Sequence, residues 1–205
     1  MMKMKYFIAM NKRIMLTSVF IFIAALCADC RQYMVRRIMI GTKLEGINLS
    51  GVDFYNLNLE KINLSRAKLI RSNFSFAVLK NARFINADLR EADLSGADLS
   101  GADLRGANFR NAVLKNTLLS KANLIDAYFY EASLIDADLR EAIMIDGVTG
   151  EADMGEIQEK INRGGSINYV HLRHADLAGA AVNDKWKAFI EHQNVKNFDK
   201  IIWVK

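Results

Sequence analysis

From Leu44 onward a large apolar residue returns at every fifth position, through Leu49, Phe54 and Leu59 as far as Leu139 and Met144, which makes 21 consecutive units. Two residues before each of these centres stands a second small or apolar residue, an alanine in 14 of the 21 units. Five residues of α-helix advance about 500°, so successive centres would smear over every helix face. In a flat strand a step of five reverses the face each time and sends alternate leucines to water. Only a chain that turns one corner per unit points every centre at a common axis. The period therefore predicts a coil of very short strands and tight turns, its layers stacked and hydrogen-bonded at the usual strand spacing of about 4.8 Å.

The units Ala87-Asp-Leu-Arg-Glu, Ala92-Asp-Leu-Ser-Gly, Ala97-Asp-Leu-Ser-Gly, Ala102-Asp-Leu-Arg-Gly and Ala107-Asn-Phe-Arg-Asn resemble the pentapeptide-repeat family, whose consensus is Ala-Asp/Asn-Leu-x-x. The resemblance covers about half the chain. It implies an all-β fold, a right-handed quadrilateral β-helix (a solenoid) with four units per coil, and about five coils for the main run. The residues themselves suggest a small helical cap at the C-terminus. Leu or Phe at the centre and Ala two before it face inward, and each such Leu or Phe contributes about 1.5–3 kcal/mol on burial. A core filled in this way leaves no internal ligand cavity, and no cofactor is expected. Gly96, Gly101 and Gly106 close their units, where the corner is eased by the lack of a Cβ. Ile47, Val52, Leu57 and Ile62 replace alanine in four successive units. They predict a wider first coil, capped by residues 29–41.

The domain plan follows: 1–28 a signal peptide or N-terminal anchor, 29–41 a cap, 42–147 the repeat, 148–168 a helical excursion, 169–183 further units, and 184–205 a helix and strand cap. The first segment carries Lys3, Lys5, Lys12 and Arg13, then fifteen uncharged residues from Ile14 to Ala28. A basic stretch, an apolar stretch of this length and small residues at its end describe a secretory signal. Fifteen residues fall short of the roughly 20 that span a bilayer. The expected location is thus outside the cytosol: periplasmic, extracellular or membrane-anchored, with membrane contact only through this segment. Cys27 and Cys30 are the two cysteines, both N-terminal, so no disulfide framework holds the body together.

The outward positions give the functional hint. Lys61, Arg66, Lys68, Arg71, Lys80 and Arg83 form a run of six cations without an acid. Asp126, Glu131, Asp136, Glu141 and Asp146 close five successive units and should ring the rod, polarising it along its axis. Ile85, Ile125 and Ile145 fall on one face if a coil is 20 residues, interrupted by Arg105; Tyr128 and Tyr130 are also outward. Exposed apolar columns on a rod suggest either docking or cover by the C-terminal segment.

After the repeat, Met154, Ile157 and Ile161 have helical spacing. Units then resume at Leu172, Leu177 and Val182, offset from Met144 by 28 residues, which is not a multiple of five. Asp184 is placed to cap a helix whose Trp186, Phe189 and Ile190 share one face, and Lys200–Lys205 reads as a strand. These elements cover the open end of the solenoid or serve a homodimer. His171 and His174 are three apart, a spacing that does not converge on a pentapeptide coil, so no metal site is expected.

No nucleophile–base pair, phosphate loop or zinc signature is present. The function expected is a non-enzymatic exported scaffold binding a protein of unknown identity. The alternative, by family resemblance, is a cytosolic DNA-mimic that protects a topoisomerase. That role calls for a strongly acidic rod, whereas Thr42–Asp146 carries 13 basic and 14 acidic residues, a net charge of −1. The +5 of the whole chain comes from its ends, so its charge does not point to nucleic acid.

Overall fold

The computed structural model describes residues 44–144 and 170–205. The expected signal or anchor (1–28), the cap (29–41), the helix around Ile157, and the candidate residues Ile145 and Asp146 lie outside them.

The repeat forms a right-handed quadrilateral β-helix. Each unit contributes one bridging residue, the one before its centre, which pairs in parallel with the residue twenty positions on: Asn48 with Lys68, Asp53 with Asn73, Asn58 with Val78, Asn63 with Arg83. Four such columns make four faces, and every described centre is at most 3% exposed. Like residues stack within the interior columns. The rings of Phe54 and Phe74 lie 4.4 Å apart with planes 8° off parallel, and those of Phe109 and Phe129 lie 4.8 Å apart at 5°. Where a polar residue replaces the inward alanine it satisfies itself on a backbone carbonyl: Ser72 Oγ donates to Leu69 (2.6 Å) and Thr117 Oγ1 to Leu94 (2.9 Å). In the first coil Leu57 and Ile62 are buried, whereas Ile47 and Val52 are half-exposed.

The corners explain the five-residue grammar. The second residue after every described centre from Gly46 to Glu141, then His174 and Gly179, has φ between 53° and 71°. The amide that follows donates back to the centre's carbonyl, as Ala97 N does to Leu94 O at 3.0 Å. This is the pattern of a type II turn. The amide of the first corner residue points away from the ladder, and the Asp or Asn before the centre takes it up. Asp93 Oδ1 accepts from Ser95 N at 2.9 Å, Asp98 from Ser100 at 3.1 Å and Asn123 from Ile125 at 3.2 Å. The consensus Asp/Asn is thus a local backbone acceptor, which is why it recurs on all four faces.

The break after Met144 does not end the solenoid. Val170 N donates to Met144 O at 2.8 Å, the bond that closes every other corner. His171, Asp176 and Ala181 then pair with Tyr128, Ser133 and Asp138. Met144 and Val170 are thus joined as the ends of any other corner are, and Leu172, Leu177 and Val182 complete a sixth coil. The 28-residue offset read from the sequence is an insertion at one corner, with the register kept.

The last coil is closed by the chain that follows. A 3₁₀ turn, Asp184–Trp186, leads into one helical turn, α1 (Lys187–Glu191), with Trp186, Phe189 and Ile190 buried. The expected cap by Asp184 is not made: Asp184 lies inside the 3₁₀ turn, and the residue preceding α1 is Trp186. Gln193 then substitutes for a seventh layer. Its Oε1 accepts from Leu172 N (2.8 Å) and its Nε2 donates to Val170 O (2.9 Å), the two bonds that the Lys68 main chain makes to Leu49 and Ile47 in the first coil. Lys196 bridges Asp176, and β1 (Ala181–Asn183) pairs in parallel with β2 (Ile202–Val204).

Candidate functional site

The face that begins with Asn48 continues through Lys68, Asp88, Asn108, Tyr128 and His171. Beside it runs the first corner position: Ser50, Ile70, Arg90, Arg110, Tyr130 and Arg173. In the upper coils the usual Asp/Asn ladder gives way to aromatics. The rings of Tyr128 and His171 stack at 4.4 Å with planes 8° apart. Tyr130 tilts against His174 at 5.4 Å, and the Arg110 guanidinium lies 5.1 Å from the Tyr130 ring centre. Asn108, Arg110, Tyr128 and Tyr130 line a shallow depression of about 430 Å³. Burial lowers the His171 pKa from its ordinary value, opposed by the charge of Asp126.

Charge sets Arg110 apart from its counterparts. Arg90, Arg105 and Arg140 occupy the same position in their units, each following an Asp two residues earlier. Each is held in a fork by that carboxylate, with Nε and Nη2 2.6–2.8 Å from its two oxygens. These forks draw Asp88, Asp103 and Asp138 below the usual carboxylate range. Arg110 follows Asn108, whose Oδ1 is taken by the Arg110 amide at 3.1 Å. Among the described residues no carboxylate lies within ion-pair distance of Arg110.

The other candidates are dispersed. Asp126, Glu131, Asp136 and Glu141 stand at four successive corners of one coil, all at positive φ. Lys61, Arg66 and Arg71 also occupy corners, and each finds a carboxylate: Glu60 (3.1 Å), Glu45 (3.3 Å) and Glu91 (2.7 Å). Glu141 in turn lies 3.6 Å from Lys121. Ladder pairing of this kind offsets part of the axial charge separation. Ile85, Arg105 and Ile125 share one corner column, but Ile125 is only 9% exposed and Ile85 is half-buried. Ser65 and Ser75 are buried at the same position of their units, whereas Tyr55, Arg90 and Arg110 are exposed there, so exposure at the first corner position varies from unit to unit. The large apolar side chains that water reaches are elsewhere, at Leu118, Tyr128, Ile143, Ile202 and a pair the sequence reading did not single out, Tyr55 and Phe76. Their rings meet edge to face at 5.9 Å. Phe76 is the one apolar side chain among the described left-handed corners and lies over Gly96 of the next coil. The signal was available as a Phe where the pattern wants Gly or Asn.

Among the described residues no group of three His, Cys, Asp or Glu side chains is placed to hold a metal ion, and no helix is long and apolar enough to cross a membrane.

No curated protein matches the sequence. Among solved structures the chain is similar to HetL, a pentapeptide repeat protein involved in heterocyst differentiation regulation from the cyanobacterium Nostoc sp. strain PCC 7120. The two are 27% identical over 75% of this chain and 73% of HetL, with a TM-score of 0.50. It is also similar to Rfr23, a pentapeptide repeat protein from the cyanobacterium Cyanothece 51142, with 28% identity over 54% of this chain and 90% of that one and a TM-score of 0.49. The sequence matches the profile described as Pentapeptide repeats (8 copies) over residues 39–71, 67–106 and 107–144. With the twenty-residue coil, the type II corners and this match in agreement, the chain belongs to the pentapeptide-repeat family.

Proposed function

We propose that this protein is a non-enzymatic interaction scaffold that works outside the cytosol, presenting the Asn108–Tyr128–His171 face to a protein partner. The observation that carries the reading is the replacement of the polar ladder by Tyr128, Tyr130 and an arginine without a carboxylate partner on that one face. The interior columns are filled by Leu, Phe and Ala, which leaves the outer faces as the place where function is written. The regulatory description of HetL fits a binding role. The basic and apolar character of residues 3–28 supports export. Self-association through β2, whose Ile202 is 56% exposed, belongs to the same proposal.

Fractionation of the native host with N-terminal sequencing tests the location. The expected product is envelope-associated or secreted and begins after residue 28; a full-length cytosolic product overturns export. Cross-linking in that compartment tests the scaffold, and a chain that yields no protein adduct overturns it. Sedimentation of the full chain reads out self-association.

A further inference from the structure

We propose that the depression under Tyr128 receives an aromatic side chain of a partner peptide, with an adjacent carboxylate of that peptide seated on Arg110. The inference rests on the scaffold reading and gives its partner a chemistry.

Stacking leaves one face of Tyr128 available. The His171 ring covers the side toward the last coil at 4.4 Å and nearly parallel. The opposite side looks down the column to Asn108, whose short side chain does not reach across a phenol ring. Tyr128 is accordingly 47% exposed, and the depression opens between it, Asn108, Arg110 and Tyr130. A flat ring entering there adds one more layer to the Tyr128–His171 stack, a contact worth about 0.5–1.5 kcal/mol beyond its area.

The polar groups around that slot are donors. Asn108 Oδ1 is committed to the Arg110 amide, so its Nδ2 is the atom it can offer a ligand. The Arg110 guanidinium rests on Tyr130 and meets no carboxylate among the described residues. The equivalent arginines show what this position binds when one is supplied: a carboxylate in a two-point fork.

The surrounding charges limit the ligand to a single anion. Asp126 and Glu131 occupy the two corners flanking this face on the Tyr128 coil, and Asp126 bears on His171. A polyanion laid across the face would meet both. One aromatic residue next to one acidic residue brings a single negative charge, so the surface fits a short aromatic–acidic segment and disfavours a nucleic-acid strand.

The test is a titration of the ¹⁵N-labelled full chain with N-acetyl-Phe-Glu-amide. Amide shifts are expected at 108–110 and 128–130, with Arg110→Gln and Tyr128→Ala each weakening binding roughly tenfold, equivalent to about 1.4 kcal/mol. N-acetyl-Phe-Gln-amide and N-acetyl-Ala-Glu-amide should lose a similar factor. The proposal is overturned if the three peptides bind alike, if the shifts fall elsewhere, or if no peptide binds. It is overturned equally if oligothymidylate binds these residues more tightly than the peptide. Melting curves of both variants control for folding, and Tyr128→Phe, which keeps the ring, should retain binding. Cross-linking separates the two levels of the argument. If Arg110→Gln leaves the native adduct unchanged, this site is wrong and the scaffold stands; no adduct from the native chain sinks the scaffold itself.

Discussion

Replacing Gln193 with glutamate exchanges one NH₂ for an oxygen at the last layer of the solenoid. The orientation of the native amide is fixed by its partners, because Leu172 N can only donate (2.8 Å) and Val170 O can only accept (2.9 Å). Glutamate keeps the first bond and loses the second, and when ionised it sets an anionic oxygen against the Val170 carbonyl. A net hydrogen bond is worth about 0.5–1.5 kcal/mol, and leaving an acceptor unmet costs about 1–3 kcal/mol where water is kept out. Gln193 is only partly buried, so the expected loss at pH 7 is about 2 kcal/mol, a melting shift of about 4–8 °C for a chain of this size. Gln193→Ala, which lets water serve both groups, should lose about half as much. The glutamate variant carries its own control in pH. Its carboxyl in the folded chain is pushed above the unfolded value of about 4.3, because only the protonated form can donate to Val170 O. The stability of that form is fully present below pH of about 4 and is lost as pH rises through the folded pKa. The readouts are hydrogen exchange at the Leu172 amide and the melting difference from wild type at pH 7 and pH 4. Wild-type protection of Leu172 in Gln193→Glu at pH 7, or a deficit that persists at pH 4, refutes the role assigned to this side chain.

Three further perturbations probe the unit itself. Asp138→Asn keeps an acceptor for Arg140 N but removes the charge from the fork. Since the fork lowers the Asp138 pKa, its contribution is present above the unfolded value of about 3.9 and is lost as pH falls through the folded one. With the Arg140 guanidinium exposed to solvent, the cost should be small at pH 7 and vanish in acid, as read by melts across pH. Leu118→Asn places the consensus acceptor two residues before Ser120, as Asp98 stands before Ser100 in the coil beneath. Leu118 is exposed, so a gain of about 0.5–1 kcal/mol is expected, and a lower melting temperature would count against the backbone role of the consensus Asp/Asn. Gly96→Ala puts a Cβ at φ 66° and 2.7 Å from the Phe76 ring, for a loss of about 1–3 kcal/mol. Adding Phe76→Ala should recover the steric part, and a double-mutant cycle without coupling would show that the two do not meet.

The five-residue period by itself settled the coil, the inward columns and the corners. Those follow from local geometry: a turn every five residues leaves one arrangement in which Leu44 to Met144 share an axis. The acids of the Asp126 series could likewise be placed on successive corners by counting. What stands above what was decided by the tertiary structure. Tyr128 meets His171, 43 positions on, because Val170 bonds to Met144 as across any other corner and the register is kept; the sequence shows only an offset of 28 and a broken phase. Asn108 in place of Asp already sets the Arg110 unit apart in the sequence, but the Tyr130 ring one coil higher, on which Arg110 rests, emerges only from the stacked coils. Ile85 and Ile125 are apolar and outward by pattern, yet the assembled coils leave Ile85 half-buried and Ile125 only 9% exposed. Gln193 carries no pattern at all, since a single amide becomes a surrogate peptide group only when the chain returns it to the edge of the last coil. A period determines how each unit folds; contacts between layers depend on coil length and on one insertion, and those are properties of the assembled rod.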